Sequence, residues 1–361
     1  MRERPRGEAG KQVQGVLRRH QPRLVAVTSS SSSPQVRRAT ILDVAAAAGV
    51  SRQTVTRAMN DMPGISASTR ERVQQLAAEL GYSPSRFAKG LVQGARTSLG
   101  LAIPDLTNPY FPAFASSVVE EATQRGWNVV VDDFGHGSGS GLDAVARLGP
   151  QVDALVGYLG ASSTEAQAMM GRRPVVVLDF PSGQAAGLIS FDYAYAAQLA
   201  LERLKSARCR RIAYLDADLE GPATARGLAV AAAAADAGLE LTLRRSADSA
   251  SAAREAVRSM LEHDGRIDGL LVFNDLMAAG ALKALHDAGR RVPEDCAVIG
   301  MDGIPLGELV TPELTTLSLD LRAVGRAAVD LVDNLISGRL QAGSPDSELV
   351  LKHQLVLRQS A

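Results

Sequence analysis

The chain has 361 residues, 46% of them hydrophobic, and equal numbers of basic and acidic side chains, 39 of each. This length is enough for a large core and for two or three domains. Two cysteines are too few for a disulfide framework, and no apolar run has the length of a membrane span or the position of a signal-peptide core. These features exclude a disulfide-rich secreted protein and an integral membrane protein. We expect a cytoplasmic protein in which Cys209 and Cys296 are buried free thiols.

Charge is unevenly distributed along the chain. Residues 1–96 carry 16 basic and 6 acidic side chains, whereas residues 97–361 carry 23 and 33, so the two parts have net charges of +10 and −10. The positive charge of the first part would attract a polyanion, and the negative charge of the second part would repel one. The alternative is a disordered basic tail on an ordinary domain, which the ordered pattern within residues 40–60 makes less favourable.

Residues 1–39 are rich in Arg, Gln and Ser and have no usable periodicity, which predicts a disordered N-terminal extension. We expect translation to begin at an alternative start codon at Val36, so that the natural protein lacks most of this segment. Mass spectrometry of the native protein checks this, because a peptide from residues 1–30 would contradict it.

Residues 40–60 predict two short helices joined by a tight turn. The first helix has apolar residues at the i, i+3, i+4 spacing of one helical face, beginning at Ile41. Gly49 can adopt the positive φ that a sharp turn between helices needs. The second helix has Val55 and Met59 on its buried side.

The second helix also has a polar face, which begins after a predicted N-cap at Ser51. The side chains of this face are Arg52, Gln53, Thr56, Arg57 and Asn60. Arginine and glutamine read guanine and adenine edges in the major groove. The pattern is therefore typical of the recognition helix of a helix-turn-helix.

A third helix completes the first part of the chain. It is predicted from Ala67 to Leu80, with Ser66 as its N-cap and Gly81 as its stop. Its apolar stripe consists of Val73, Leu76, Ala77 and Leu80. A helix-turn-helix domain is thus predicted over residues 40–84, followed by a polar connector.

From Ser98 onwards, apolar strands alternate with helices, which predicts parallel sheets covered on both faces. The predicted strands are Leu99–Ile103, Asn128–Val131, Ala154–Tyr158, Val175–Leu178, Leu188–Phe191, Ile212–Leu215, Leu239–Leu243, Gly269–Phe273, Ala297–Gly300 and Leu349–Val356. The predicted helices include Phe111–Arg125, Tyr193–Ser206, Thr224–Ala237, Ala252–Glu262, Leu276–Ala288 and Val324–Ile336. The length suits two doubly wound subdomains, an N-subdomain of about 98–191 and 319–347 and a C-subdomain of about 192–318 and 348–361.

Polar and aromatic side chains accumulate after these strands, at the edge where such folds bind ligands. They include Asp105, Thr107, Asn108, Tyr110, Phe111, Asp179, Phe180, Phe191, Asp192, Arg226, Asn274, Asp275 and Asp302. One Asp after a strand is usually a helix cap. Several of them, together with Asn, Arg and aromatic rings, are typical of a cleft for a small polyhydroxylated molecule.

The chain resembles the LacI/GalR family of bacterial transcription regulators over about residues 40–361. The matching head motifs are Thr40–Ala45, Gly49–Ser51, Thr54–Arg57, Asn60, Ser68–Val73 and Gly81–Pro84. The matching core motifs are Asn108–Phe111, Val152–Leu155, Asn274–Asp275, Val298–Asp302 and Thr315–Leu317. The resemblance implies an all-α helix-turn-helix head, joined by a hinge helix and linker at residues 85–97 to an α/β core of the periplasmic binding protein-like type I fold.

The resemblance also implies the roles of DNA-binding residues. Arg52, Gln53 and Arg57 would read bases. The residues that would hold phosphates or cap the helix are Ser51, Thr54, Thr56 and Asn60, and packing inside the head is an equally favoured role for Thr54. The hinge residues that would contact the operator are Ala88, Lys89 and Leu91. Leu91 would be the minor-groove wedge, with ordinary linker packing as the alternative.

The core residues that the resemblance implies for effector binding are Tyr110, Phe111, Asp179, Phe191, Asp192, Arg226, Asn274 and Asp302, with Asp105 and Asn108 beside them. The implied function is that of a repressor that binds a palindromic operator as a homodimer under allosteric control by a sugar or sugar derivative. Such a protein would be associated with the nucleoid. Because no apolar heptad tail follows the last strand, we expect a dimer rather than a tetramer. The expected interface consists of the helix Phe111–Arg125 and later exposed apolar surface of the same subdomain. No cofactor and no metal are implied.

Two other classes of protein are less favoured. A periplasmic-type solute-binding protein would have a signal peptide and no helix-turn-helix. An enzyme on a doubly wound fold would need a dinucleotide fingerprint or a nucleophile–base set, and the five histidines are scattered along the chain. We therefore predict that the chain is not an enzyme.

Overall fold

The computed structural model describes residues 40–59, 62–80, 96–135, 139–160, 163–180, 187–217, 222–263 and 267–361. The chain forms two compact units, Met1–Gln93 and Gly94–Ala361. The predicted disordered extension and all but the last two residues of the predicted hinge lie outside the described residues.

The first unit contains three helices around a small apolar core. They are α1 (Ile41–Ala48), α2 (Arg52–Met59) and α3 (Ala67–Glu79). The buried side chains are Val44, Ala45, Ala48, Val55, Ala58, Val73 and Ala77. Because most of these side chains are small, the helices can pack closely without leaving voids. This arrangement confirms the predicted helix-turn-helix.

Hydroxyl side chains begin all three helices. Thr40, Ser51 and Ser66 each accept a hydrogen bond from the backbone N–H three residues later, at 3.4, 3.1 and 3.2 Å. Gly49 follows α1 in the left-handed conformation, with φ of 60°. The caps satisfy N–H groups that a helix start leaves unpaired, and they confirm the N-cap roles predicted for Ser51 and Ser66.

Two details of the predicted apolar faces differ from the structure. Ala58 takes the buried position beside Val55, and Met59 is only half-buried at the margin of the core. Leu80 is 42% exposed, because α3 ends at Glu79 and Leu80 is its C-cap residue. Its side chain therefore lies beyond the face that packs on α1 and α2.

The second unit is built on two six-stranded sheets. In spatial order, the first sheet consists of β11 (Glu348–Leu351), β5 (Gly187–Phe191), β4 (Val175–Leu178), β3 (Ala154–Gly157), β1 (Ser98–Ile103) and β2 (Asn128–Asp133). The second consists of β12 (Gln354–Val356), β10 (Thr315–Ser318), β9 (Ala297–Asp302), β8 (Gly269–Val272), β6 (Ile212–Ala217) and β7 (Leu241–Ser246). Neighbouring strands are parallel, except that β12 runs antiparallel to β10. The two predicted parallel sheets are thus confirmed.

Nine further helices of the described chain connect these strands. They are α4 (Tyr110–Gln124), α5 (Gly141–Leu148), α6 (Ser163–Met170), α7 (Tyr193–Ser206), α8 (Ala225–Asp236), α9 (Ala250–His263), α10 (Asp275–Asp287), α11 (Leu306–Leu309) and α12 (Leu321–Ile336). The sequence prediction gave no bounds for α5 and did not include α6, α11 or β10. These elements are short, and a pattern of one or two turns gives little periodicity to detect. In β10, Leu317 is the one large apolar residue among hydroxyl side chains.

The chain passes between the two sheets three times, after β5, after β10 and after β11. The predicted assignment of residues 348–361 to the C-subdomain is wrong for β11, which pairs with β5 in the first sheet. The single predicted strand Leu349–Val356 is likewise two strands in different sheets. Lys352 and His353 separate them, at the point where the chain turns from one sheet to the other.

Both cysteines are buried and free, as predicted. Among the helices of the described residues, none is long and apolar enough to cross a membrane.

We expect Gly280→Ala to destabilise the second unit by about 1–3 kcal/mol. Gly280 lies in α10, and a Cβ at this position would overlap the carbonyl oxygen of Ala250 at the start of α9. Because the obstacle is backbone, the two helices must separate. Urea unfolding of the variant checks this. Gly149→Ala is the matched control: Gly149 has helical φ and ψ, and its added Cβ would lie 3.4 Å from the sulfur of Met170. Equal stabilities of the two variants would contradict the prediction.

Candidate functional site

The polar face of α2 is accessible. Arg52, Gln53 and Arg57 are exposed, whereas Thr54 and Thr56 are half-buried. The Thr54 hydroxyl lies 3.0 Å from that of Ser51, and the Thr56 hydroxyl donates to the carbonyl of Arg52 at 3.1 Å. The long side chains therefore project from the helix, while the short hydroxyls are bound to their own turn. Asn60, Ala88, Lys89 and Leu91 lie outside the described residues.

Side chains of α3 hold this helix in place. Arg70 donates to the carbonyl of Met62 at 2.8 Å, and Gln74 donates to that of Ala58 at 3.0 Å. Arg72 donates to the carbonyl of Ala48 at the end of α1. The bonds to Ala48 and Ala58 satisfy carbonyls that helix ends leave without partners, and the bond to Met62 holds the segment that precedes α3. Arg70 and Arg72 therefore stabilise the head internally, although arginine in such a unit can also suggest DNA contact.

A buried ion pair marks the carboxyl edge of the second sheet. Arg226, in the first turn of α8, donates to Asp302 at the end of β9 at 3.1 Å and to the carbonyl of Phe273 at 2.7 Å. Its guanidinium also lies over the Phe273 ring, 4.5 Å from the centroid. The side chains of Arg226 and Asp302 are only 11% and 4% exposed. The guanidinium is thus held by charge, hydrogen bonding and stacking together.

Tyr193 connects this pair to the first sheet. Its hydroxyl donates to Asp179, which follows β4, at 2.8 Å and accepts from Nε of Arg226 at 3.4 Å. Asp179 and Asp302 both have positive φ angles, 58° and 117°, a backbone conformation that residues other than glycine rarely adopt. Strained residues of this kind cluster at ligand sites. Two predicted site residues from different sheets are therefore joined by one tyrosine.

Aromatic rings form a wall beside the polar groups, at the edge of the first sheet. Tyr110 and Phe111 pack edge to face with centroids 5.3 Å apart, and Tyr158 lies 5.9 and 5.5 Å from them. The hydroxyls of Tyr110 and Tyr158 are 2.6 Å apart. The predicted pair Tyr110 and Phe111 thus belongs to a larger cluster, which presents both ring surface and hydroxyl groups.

Four other predicted residues make hydrogen bonds within their own loops. Asp105 accepts from the backbone and hydroxyl of Thr107, and Asn108 accepts from the N–H of Tyr110. Asp192 caps α7, and Asn274 caps α10 while its amide donates to Asp248 at 2.7 Å. These bonds shape the loops at the sheet edges. Effector contact by these four residues stays a prediction.

Burial changes the electrostatics of the site. It raises the pKa of Asp302 to about 8, although the charge of Arg226 opposes the rise. Burial and the charge of Asp302 also raise the pKa of Tyr110. Burial raises the pKa of Asp275 to about 6 although it accepts hydrogen bonds from Thr316 and Ile304, at 2.6 and 3.0 Å. Asp275 joins the β8–α10 turn to β9 and β10 and so supports the site from behind.

Three residues near this site were missed in the sequence. Tyr158 was predicted as the last residue of its strand, but β3 ends at Gly157, so Tyr158 lies at the carboxyl edge of the sheet with Asp105 and Asp179. Tyr193 follows Asp192 and was assigned only to its helix. His353 lies between β11 and β12, and nothing in its neighbours along the sequence indicates its position. Its ring lies 5.7 Å from that of Tyr193 and 6.0 Å from that of Phe191.

Protonation of His353 should make stability depend on pH. Burial, with the charge of Arg226, lowers its pKa from 6.5 to about 3, so the folded protein binds this proton less readily than the unfolded chain. The stability that depends on the neutral ring is present above pH 6.5 and is lost as pH falls towards 3. When the pH is lowered from 7.5 to 5, the free energy of unfolding of wild type should fall by about 2 kcal/mol more than that of His353→Phe.

Urea unfolding of both proteins at the two pH values checks this prediction. Phe191→Leu is the control, because it changes the same packing without removing a titratable group and should keep the pH dependence of wild type. If the stability difference between wild type and His353→Phe did not change with pH, the neutral buried state of His353 would be ruled out.

Several of the predicted contacts are buried in this structure, although Asp179 is exposed and Phe111 and Asp192 are half-buried. Asn274, Asp302, Tyr110 and Phe191 are 1%, 3%, 4% and 7% exposed. A ligand can therefore reach these groups only when the loops or sheets that cover them move apart. Among the described residues, no group of three or more His, Cys, Asp or Glu side chains is placed to hold a metal ion.

Comparison with known proteins identifies both units. Residues 40–85 match the family "Bacterial regulatory proteins, lacI family", and residues 201–361 match "Periplasmic binding protein-like domain". The ribose operon repressor of Halalkalibacterium halodurans is 32% identical over 307 residues, which cover 81% of this chain and 89% of the repressor.

Solved structures agree with these matches. A LacI family transcriptional regulator from Arthrobacter sp. FB24, solved in complex with lactose, is 60% identical with a TM-score of 0.71, covering 74% of this chain and 99% of that one. The lac repressor dimer bound to operator and the anti-inducer ONPF is 27% identical with a TM-score of 0.69, covering 89% and 98%. These relatives are transcriptional regulators rather than enzymes, as predicted. With its helix-turn-helix and its two-sheet core, the chain belongs to the LacI family of DNA-binding bacterial transcription regulators.

Proposed function

We propose that the protein is a repressor that binds a palindromic operator as a homodimer and releases or tightens its hold on DNA when a saccharide enters the cleft of the core. The observation that carries the proposal is the Arg226–Asp302 pair, held beside a wall of tyrosine and phenylalanine rings in a chain that also exposes a basic recognition helix. A bacterial operator lies in the cytoplasm, so the proposal places the protein there.

The chemistry of the cleft suits a sugar. Carboxylate, guanidinium and phenol groups bond hydroxyls in fixed directions, and aromatic faces pack on the apolar faces of a pyranose ring. The regulator from Arthrobacter sp. FB24 was solved with lactose, and the related regulator CelR was solved with cellobiose. We therefore propose a disaccharide as the effector. Its proposed contacts are Asp105, Asn108, Tyr110, Phe111, Asp179, Phe191, Asp192, Arg226, Asn274 and Asp302.

On DNA, two heads would occupy half-sites about one helical turn apart. Arg52, Gln53 and Arg57 would contact base edges, and Ser51, Thr54, Thr56 and Asn60 would contact phosphates. At the operator centre, Leu91 would enter the minor groove, with Ala88 beside it and Lys89 near the backbone. Movement of the two sheets around the effector would then be transmitted through the hinge. Such coupling between sites typically amounts to about 1–3 kcal/mol.

The test begins with selection of operators from random DNA by the full chain. We expect a palindrome with half-sites one turn apart, two protein chains on each site by mass photometry, and a change in operator Kd of about 5- to 150-fold on addition of lactose or cellobiose. One protein chain per site would rule out the dimer. If no tested saccharide changes the operator Kd, the proposed effector class is ruled out.

A further inference from the structure

His353 is a buried polar residue to which neither the fold nor the proposed contacts assign a role. It lies between β11 of the first sheet and β12 of the second, so it stands at one of the three passages between the subdomains. Its ring is 1% exposed and packs against Phe191 and Tyr193, which belong to another of these passages. Asp192, between those two residues, donates its N–H to the carbonyl of Leu351 at 2.9 Å. Two of the passages therefore pack side by side, with His353 of one passage against Phe191 and Tyr193 of the other.

Neither ring nitrogen of His353 has a hydrogen-bond partner among the described residues. Leaving a buried polar group unpaired costs about 1–3 kcal/mol, and a phenylalanine would give the same packing without that cost. The polar groups around it are all bonded: Tyr193 to Asp179, and Arg226 to Asp302. The imidazole of His353 differs from these neighbours in that both of its nitrogens lack a partner among the described residues.

Burial of His353 does not separate it from a ligand. Asn274 and Asp302, two of the proposed effector contacts, are 1% and 3% exposed, which is comparable with His353. These three groups are covered in this conformation, and a saccharide reaches them only after the loops or sheets above them move apart. Tyr193 contacts both His353 and the polar chain of the cleft, so a change in its position would uncover the imidazole to the same space.

We propose that His353 is a specificity-determining residue of the effector site, whose imidazole nitrogens bond a hydroxyl group of the bound saccharide. The inference rests on the proposed function, since it concerns the same cleft. The chemistry fits, because a neutral imidazole has one N–H donor and one nitrogen acceptor, and a sugar hydroxyl can both donate and accept. Burial, together with the charge of Arg226, lowers the pKa of His353 to about 3 and so keeps the ring neutral.

The first measurement uses the full wild-type chain labelled with ¹⁵N-histidine and titrated with lactose and with cellobiose. The chain has five histidines, and the signals that disappear in His353→Gln identify those of His353. We expect the ring nitrogen shifts of His353 to move on saturation. If the ring bonded only a buried water, both with and without saccharide, these shifts would not change. That result would overturn the inference.

The second measurement is saccharide affinity by calorimetry. We expect His353→Phe to weaken binding about 5- to 10-fold, which corresponds to one lost hydrogen bond, while its stability at pH 7.5 stays equal or rises. His353→Gln restores a donor and an acceptor and should recover most of the affinity. His286→Gln, at an exposed position in α10, is the matched control and should bind as wild type does. A monodeoxy disaccharide that lacks the recognised hydroxyl should bind wild type and His353→Phe equally.

The outcomes separate the two proposals. If wild type binds a disaccharide and His353→Phe binds it equally well, His353 is not a contact and the proposed function stands. If wild type binds neither lactose nor cellobiose nor any other saccharide tested, the proposed effector class fails and the role of His353 fails with it.

Discussion

Arg226→Ala should abolish the response of operator binding to saccharide while the recognition helix still binds DNA. The substitution removes at once the bond to Asp302, the bond to Phe273 and the contact with Tyr193. Without the guanidinium, the Asp302 carboxyl stays buried with no opposite charge and no Arg226 donor, so its pKa rises further. The guanidinium is then lost as a sugar-binding group, and the Asp302 carboxyl no longer has the donor that orients it.

The same substitution should lower the free energy of unfolding by about 3–5 kcal/mol, because breaking a buried pair leaves one uncompensated group. Arg254→Ala is the matched control. Arg254 is also an arginine in an ion pair, with Asp287, but its side chain is 54% exposed and its loss should cost less than about 1 kcal/mol. Arg226→Lys keeps the charge and loses the planar donors, so it should fold better than the alanine variant and still respond weakly.

Operator titrations with and without lactose, together with urea unfolding, measure both effects. If Arg226→Ala is folded by circular dichroism and still responds fully to the saccharide, the residue does not belong to the effector site. If Arg226→Lys is stable but also unresponsive, the loss reflects recognition geometry rather than unfolding.

Arg52→Ala should change which base the protein prefers at one or two positions of each half-site. Arg52 is exposed at the start of α2, and a bidentate arginine contact with guanine discriminates against other bases by about 1–3 kcal/mol. Because the side chain makes no contribution to the head core, stability should change by less than about 0.5 kcal/mol. Binding to unrelated DNA should weaken only slightly, because the substitution removes a single positive charge near the DNA phosphates.

Binding to a panel of operators with every single-base change measures this preference at a fixed salt concentration. Gln75→Ala, which removes an exposed side chain of α3 bonded to Glu79, is the control and should keep both affinity and preference. Equal weakening of all operators by Arg52→Ala would mean that this arginine contacts phosphate rather than a base.

Most local features follow from short-range physics, and these are the features that the sequence predicted well. Ser51, Gly49 and Ser66 mark helix ends through bonds and backbone angles confined to a few residues. Strands β1 and β4 are apolar runs bounded by polar residues, so their limits were predicted to within one residue. The carboxylates that follow them were found because parallel strands end at a common edge.

The short elements could not be predicted in this way. Strand β10 consists mostly of hydroxyl residues, and it is a strand because Thr315–Ser318 completes the row between β9 and β12. Leu349–Val356 has the composition of one strand, and only the position of the two sheets divides it at Lys352 and His353.

The sequence alone determined the recognition helix, the two parallel sheets and most polar residues of the cleft, because each depends on spacing within a single helix or strand. Tertiary structure alone decided how those residues are connected. Tyr193 joins Asp179 to Arg226, and His353 lies behind Tyr193 with both nitrogens unpaired, although 160 positions separate the two residues in the chain. Contacts between residues so far apart in sequence depend on where the chain passes from one sheet to the other, and a local sequence pattern does not indicate these positions.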